Sequence, residues 1–266
     1  MPYGWLLNRT MEWTRVKIIV FNPNTLVKMT KSIAEELEGA RSADTELFVT
    51  NPTTGPQAVE SAYDEVSAAC EVTKMVSEAE ADGFDAAVIA CFSDPGLEAA
   101  REIAHIPVIG IGETAHHMAA MLGYSFSIIT VAEQRIPHLA HRVMKSGLKD
   151  KLASIVPLGL TVADTEHRRS ATRLAINKAG LKAVNDHKAE VLILACAGMG
   201  RYTYELEQEL GVPVLSPTAA GLKMAETIVS LNLSHSKIRM YKTPSRNIIR
   251  TDTTHNDDGN QKASTG

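Results

Sequence analysis

Apolar residues in this chain fall into two alternating kinds of run. Short β-branched stretches at Val16–Phe21, Glu46–Val49, Ala86–Ala90, Val108–Ile111, Phe126–Thr130, Val191–Ala195 and Val212–Leu215 predict strands. Between them lie stretches with apolar residues at helical spacing: Leu26–Leu37, Gln57–Ala81, Leu97–Ala104, Thr114–Leu122, Ile136–Lys145, Glu166–Asp186, Tyr202–Leu210 and Ala219–Leu231. In the second of these, Val66, Ala69, Val72, Met75 and Val76 are expected to form the buried face. Such alternation predicts an α/β fold whose parallel sheets are built from βαβ units.

The pattern also repeats. Asp85–Cys91 is an apolar strand closing on a cysteine, followed 16 residues later by Pro107 within Ile106-Pro107-Val108. Glu190–Cys196 does the same, with Pro213 of Val212-Pro213-Val214 following 17 residues later. Each half opens with a strand that ends in a polar turn, Phe21-Asn22-Pro23-Asn24-Thr25 in one and Ile128-Ile129-Thr130 in the other. The expected architecture is therefore two pseudo-twofold-related lobes, 16–124 and 125–241, with part of the C-terminal region packing on the first. Residues 1–15 read as an N-terminal extension and 242–266 as a disordered polar tail.

Composition narrows the function classes. The chain is 44% hydrophobic and 22% charged, as a globular domain of its 266 residues should be. A net charge of −4 offers no basic field for nucleic acid, and no apolar run is long enough to span a bilayer. The first fifteen residues lack the apolar core and cleavage site of a signal peptide, and Met11 could serve as a second start. With three cysteines, an odd number, this favours reduced thiols in the cytoplasm. The glycines include no phosphate-cradling pattern: Gly110-Ile111-Gly112 lacks the third glycine of a dinucleotide fingerprint.

The two strand-end cysteines carry the chemistry. Either alone would read as core, since cysteine is among the most buried residues. Two at equivalent points of a repeat, each entering a small-residue turn, outweigh that reading. In open parallel sheets sites gather at the carboxyl ends of strands, so a cleft shared by the lobes would hold Cys91 and Cys196 together. Asp94-Pro95 reads as an N-cap followed by Pro at the first helical position, and the helix start is expected to lower the nearby thiol's pKa. One thiolate could then remove a proton from a stereocentre while the opposite thiol returns one, which is racemisation. Cys70, lacking such a turn, reads as packing.

These segments resemble the aspartate/glutamate/hydantoin racemase superfamily, and within it the hydantoin and allantoin racemase branch. The likeness rests on Asn22-Pro23-Asn24-Thr25, on Ile89 to Leu97 around Cys91, on Cys196-Ala197-Gly198-Met199, and on Thr218-Ala219-Ala220 with Lys223-Met224-Ala225-Glu226. It implies a two-lobed aspartate/glutamate racemase-like fold, a homo-oligomer, no cofactor and no metal, with Cys91 and Cys196 as the catalytic pair. It further implies a substrate pocket lined by Pro23, Asn24, Phe92, Ser93, Thr130, Ala197 and Gly198. Ser93 and Leu215-Ser216-Pro217 depart from the commoner residues of the branch at places expected near the pocket.

A free amino acid calls for charged partners, and the three cysteine-flanking and Asn-containing segments hold no Arg or Lys. Asn22, Asn24 and the turn N–H groups suit a neutral cyclic ureide, a 5-substituted hydantoin or allantoin. An acidic amino-acid racemase, a related isomerase or decarboxylase, and a non-catalytic small-ligand-binding or regulatory protein are the alternatives. Glu113 and His117 read as helix surface or as contacts to a ureido side chain, and Arg201 as a solvated residue at a helix start. His138 and His141 read as a solvent-facing pair, and Asp164, Glu166 and His167 as a charged helix start.

Overall fold

Two four-stranded parallel sheets organise the chain, and their strand orders are the same. In the first, β1 (Val16–Phe21), β2 (Thr45–Thr50), β3 (Ala86–Ile89) and β4 (Val108–Gly110) lie in the order β2-β1-β3-β4. In the second, β5 (Phe126–Thr130), β6 (Leu152–Pro157), β7 (Val191–Leu194) and β8 (Val214–Leu215) lie in the order β6-β5-β7-β8. The computed structural model describes residues 15–245; the extension up to residue 14 and the tail from 246 lie outside the described residues.

Helices α1 (Val27–Ala40), α2 (Ala62–Ala81) and α3 (Leu97–Ile103) connect the strands of the first sheet. Helix α4 (Ile111–Leu122) leads to the second sheet, whose connections are α5 (Ile136–Lys145), α6 (Val162–His167), α7 (Arg169–Asn185) and α8 (Thr203–Leu210). The last helix, α9 (Pro217–Ser230), returns to pack on α4, α1 and the β1, β3 and β4 strands of the first sheet, while α4 reaches β7 of the second. One core therefore runs through both lobes, joining Val88, Ile111, Ile129, Leu194 and Leu222. Gly221 permits this: a Cβ there would stand 2.7 Å from Ile111 Cγ2.

Several boundaries depart from the sequence expectation. β6 has no counterpart among the predicted strands: it is a half-buried edge strand ending in Pro157, so its alternation is weak. Ile111 belongs to α4 rather than to the strand before it. α2 starts at Ala62, not Gln57, because Ser61 and Asp64 form a capping box. Its buried face is Ala68, Val72, Val76 and Ala79, and Val66 is exposed. A second capping box, Thr161 with Asp164, starts α6 upstream of the predicted Glu166. α9 starts at Pro217, where Ser216 accepts a hydrogen bond from the Ala219 N–H. Cys70 does not pack inward; it is exposed on α2. Among the described residues no helix is long and apolar enough to cross a membrane.

Candidate active site

Four strand ends converge on one cavity. β1 stops at Phe21, and the buried Asn22 amide donates to Asn24 Oδ1 and Thr30 Oγ1, both at 3.0 Å. Asn24 Oδ1 accepts the Leu26 N–H at 2.9 Å, which turns the chain into α1. Asn22 thus shapes the turn from within and does not reach the cavity; Asn24 does. Thr130, at the end of the equivalent strand β5, supplies the matching wall.

Cys91 lies two residues beyond β3, and its sulfur is 3.4 Å from Ser93 Oγ. The turn that follows is held from outside. The Asp94 carboxylate accepts from the Gly112 and Glu113 N–H groups at 2.9 and 2.8 Å, and Arg142 Nη2 approaches it at 3.2 Å. Asp94 therefore caps α4 rather than α3, whose N-cap is the left-handed Gly96. A Cβ on Gly112 would sit 2.1 Å from the Phe92 carbonyl oxygen, so α4 can meet this turn only through glycine. Burial pushes the Asp94 carboxyl up to about 6 against the opposing pull of Arg142 and the two N–H groups.

Cys196 lies two residues beyond β7 and opens a 3-10 turn, Ala197–Tyr202. Behind it Glu166, expected as part of a charged helix start, is instead buried: it accepts from Ser32 Oγ at 2.7 Å and from Arg201 Nη2 at 3.2 Å. Arg201 is accordingly no solvated residue but the half-buried partner of that carboxylate. Gly198 passes so close that a Cβ there would meet Glu166 Oε1 at 2.6 Å.

The cavity, about 60 Å³, is lined by Cys91 and Cys196 together with Asn24, Phe92, Ser93, Thr130 and Ala197. Pro23 and Gly198, expected in the lining, are not part of it, although the Gly198 N–H reaches the Cys196 sulfur. Ser216 also stays away, spent on capping α9 and on a hydrogen bond to Glu36. Sequence reasoning missed Glu60 and Arg135, which line the same cavity. Arg135 closes a 3-10 turn before α5 and ion-pairs with Glu65 of α2; His138 Nε2 lies 3.1 Å from the same carboxylate rather than in solvent. His141 is exposed.

The thiol pKa values contradict the expected lowering. Burial pushes Cys91 up, partly opposed by the Ser93 hydroxyl and N–H. Burial also pushes Cys196 up to about 12, and the Gly198 N–H and Thr165 hydroxyl recover little. Desolvation disfavours the thiolate, and the α4 N–H groups that might have offset it are occupied by Asp94.

A larger groove of about 700 Å³ lies across the Cys91 turn and includes Glu113, His117 and Arg142. Glu113 is paired with Arg101 at 2.6 Å, so neither it nor His117 faces the cysteine cavity. His116, wedged between Phe92 and Phe126, lines the groove with neither ring nitrogen hydrogen-bonded among the described residues. Despite its size the groove has no thiol in its walls, whereas the smaller cavity holds two. No group of three or more His, Cys, Asp or Glu among the described residues converges as metal ligands.

Comparison with known proteins gives a consistent picture. The family described as Asp/Glu/Hydantoin racemase matches residues 18–225. A hydantoin racemase of Pseudomonas sp. (strain NS671) is 39% identical over 231 residues, 87% of this chain and 93% of that protein. An allantoin racemase from Klebsiella pneumoniae superposes with a TM-score of 0.86 at 32% identity, covering 89% of this chain and 97% of the other. An allantoin racemase from Pseudomonas fluorescens does so with a TM-score of 0.83 at 34% identity, covering 88% and 99%.

Proposed function

The chain belongs to the Asp/Glu/Hydantoin racemase family, and on that premise we propose that it racemises a 5-substituted hydantoin, allantoin included, with Cys91 and Cys196 as its acid and base. The observation that carries this reading is that two thiols from equivalent points of the two lobes line one cavity.

One sulfur, as thiolate, takes the proton from C5 of the ring. The electron pair of that C–H bond moves into the adjacent carbonyl as an enolate-like oxygen. The opposite thiol then delivers its proton to the other face of C5, the carbonyl re-forms, and the two sulfurs have exchanged protonation states. Base and acid are both supplied by the chain. Cys91 is the readier thiolate, because it keeps some solvent contact and the Ser93 hydrogen bond, whereas Cys196 is held firmly as a thiol.

The wall chemistry favours a neutral ring. Arg135 is the one Lys or Arg among the described lining residues, and Glu65 already neutralises it. A free acidic amino acid would find no unpaired cation there. Asn24, Ser93 and Thr130 offer amide and hydroxyl groups suited to ureide N–H and C=O.

The test is to incubate the full chain in D₂O with single enantiomers of 5-methylhydantoin, allantoin, aspartate and glutamate, following optical rotation and loss of the substrate C–H signal. Loss of rotation together with deuterium incorporation in the ureides is expected. Turnover of the acidic amino acids alone would favour the amino-acid racemase reading, and no exchange in any of them would favour a binding protein.

A further inference from the structure

The pairing of Arg135 with Glu65 has a consequence for substrate choice. Arg135 comes from the second lobe and Glu65 from α2 of the first, so their contact crosses the cleft beside the two cysteines. Both side chains are largely buried, at 10% and 15% exposure; Arg135 lines the cysteine cavity, and Glu65 holds it from the adjoining groove, which shares Ser93 with that cavity. Burial alone would raise the Glu65 carboxyl, yet the adjacent His138 and Arg135 outweigh it and hold it at about 2. Glu65 is thus a full anion throughout the working range, and Arg135 donates to it through Nη2. The carboxylate in the cavity lining itself, Glu60, is turned to the Val162 N–H at 2.6 Å across the same lobe boundary.

A guanidinium in a cavity wall is ordinarily the residue that selects a carboxylate, by a forked pair of hydrogen bonds. Here that capacity is cancelled by an internal carboxylate. We propose that Glu65 is a specificity-determining residue that, by occupying Arg135, restricts the site to ureides with an uncharged C5 substituent and excludes those with a carboxylate there. This rests on the hydantoin reading above. A ring with a carboxymethyl group at C5 must displace Glu65 from Arg135, and it would leave the displaced carboxylate buried beside its own.

The test compares 5-methylhydantoin with hydantoin-5-acetate in the full-length wild type, Glu65→Gln, and Glu65→Gln combined with Arg135→Gln. Racemisation kinetics and calorimetric binding are both read. Wild type is expected to prefer the neutral ring. In Glu65→Gln the ratio of kcat/KM values should shift toward hydantoin-5-acetate by about tenfold or more, the size expected for one newly available charge-assisted contact, chiefly through KM. The double variant should lose that gain, which separates recognition by Arg135 from general loosening of the wall. An unchanged ratio in Glu65→Gln, or a shift that survives removal of Arg135, overturns the inference while leaving the racemase reading intact. If wild type neither binds nor racemises either ring, the hydantoin reading fails and this inference falls with it.

Discussion

The two cysteine turns occupy equivalent places in matching sheets, yet they are built by opposite means. The Cys91 turn is braced from outside: Asp94 takes an uncommon positive φ of 44° and clamps the N-terminus of α4, with Arg142 beyond. The Cys196 turn is braced from within, coiled into a buried 3-10 segment over the Ser32–Glu166–Arg201 cluster. The first arrangement leaves its sulfur partly accessible and hydrogen-bonded to a hydroxyl; the second desolvates its sulfur almost completely. Topological symmetry therefore does not make two sulfurs chemically equal. Local solvation decides which one ionises first as the pH rises.

The sharpest way to break the comparison is to remove each thiol. Cys91→Ser and Cys196→Ser should each lower racemisation by roughly 10²–10⁴-fold, the usual worth of a positioned acid or base. Each variant should still exchange deuterium into one enantiomer of the substrate, and the two should retain opposite enantiomers. Chiral chromatography with NMR reads both. Near wild-type racemisation in either variant would remove the two-base scheme.

The pH profile then measures how unequal the thiols are. Catalysis needs one thiolate and one thiol, and both thiols titrate above their ordinary value. From neutrality upward kcat/KM should rise about tenfold per pH unit until Cys91 titrates. No descending limb is expected until Cys196 loses its proton at about 12. Because the equilibrium constant of a racemisation is unity, both enantiomers should share the profile. Ser93→Ala should move the rising limb to higher pH, since it removes a hydrogen bond that favours the Cys91 thiolate. A bell centred near neutrality would show that the thiols are not desolvated as described.

The smallest expected effect compares the bracing. Gly112→Ala puts a methyl against the rigid Phe92 carbonyl, whereas Gly198→Ala meets the end of a Glu166 side chain. The former should cost about 1–3 kcal/mol of stability, as overpacking does, and the latter less. Urea unfolding with circular dichroism checks the order. An equally mild effect at both would mean that the external brace is looser than its geometry.

Much of this was legible in residue order. Alternating β-branched and helical runs locate seven of the eight strands, because strand and helix periods are properties of neighbouring residues. The repeat around Cys91 and Cys196 indicates matching lobes for the same reason, and the same symmetry requires β6 as the counterpart of β2. The Asn22-Pro23-Asn24 turn and the place of Thr130 were likewise readable as strand ends.

What folding alone decided is which distant groups meet. Nothing near Arg135 announces Glu65, 70 residues away, and nothing near Ser32 announces Glu166, 134 residues away. Asp94 is followed by Pro95 like a cap for the next helix, yet its partners are the N–H groups of α4, 18 and 19 residues on. The thiol pKa values turned on the same matter, because desolvation sums over every atom packed around a sulfur, whatever its position in the chain. Periodicity is a local quantity and survives in the sequence; charge pairing and solvation are set by proximity in space, which only the closed lobes create.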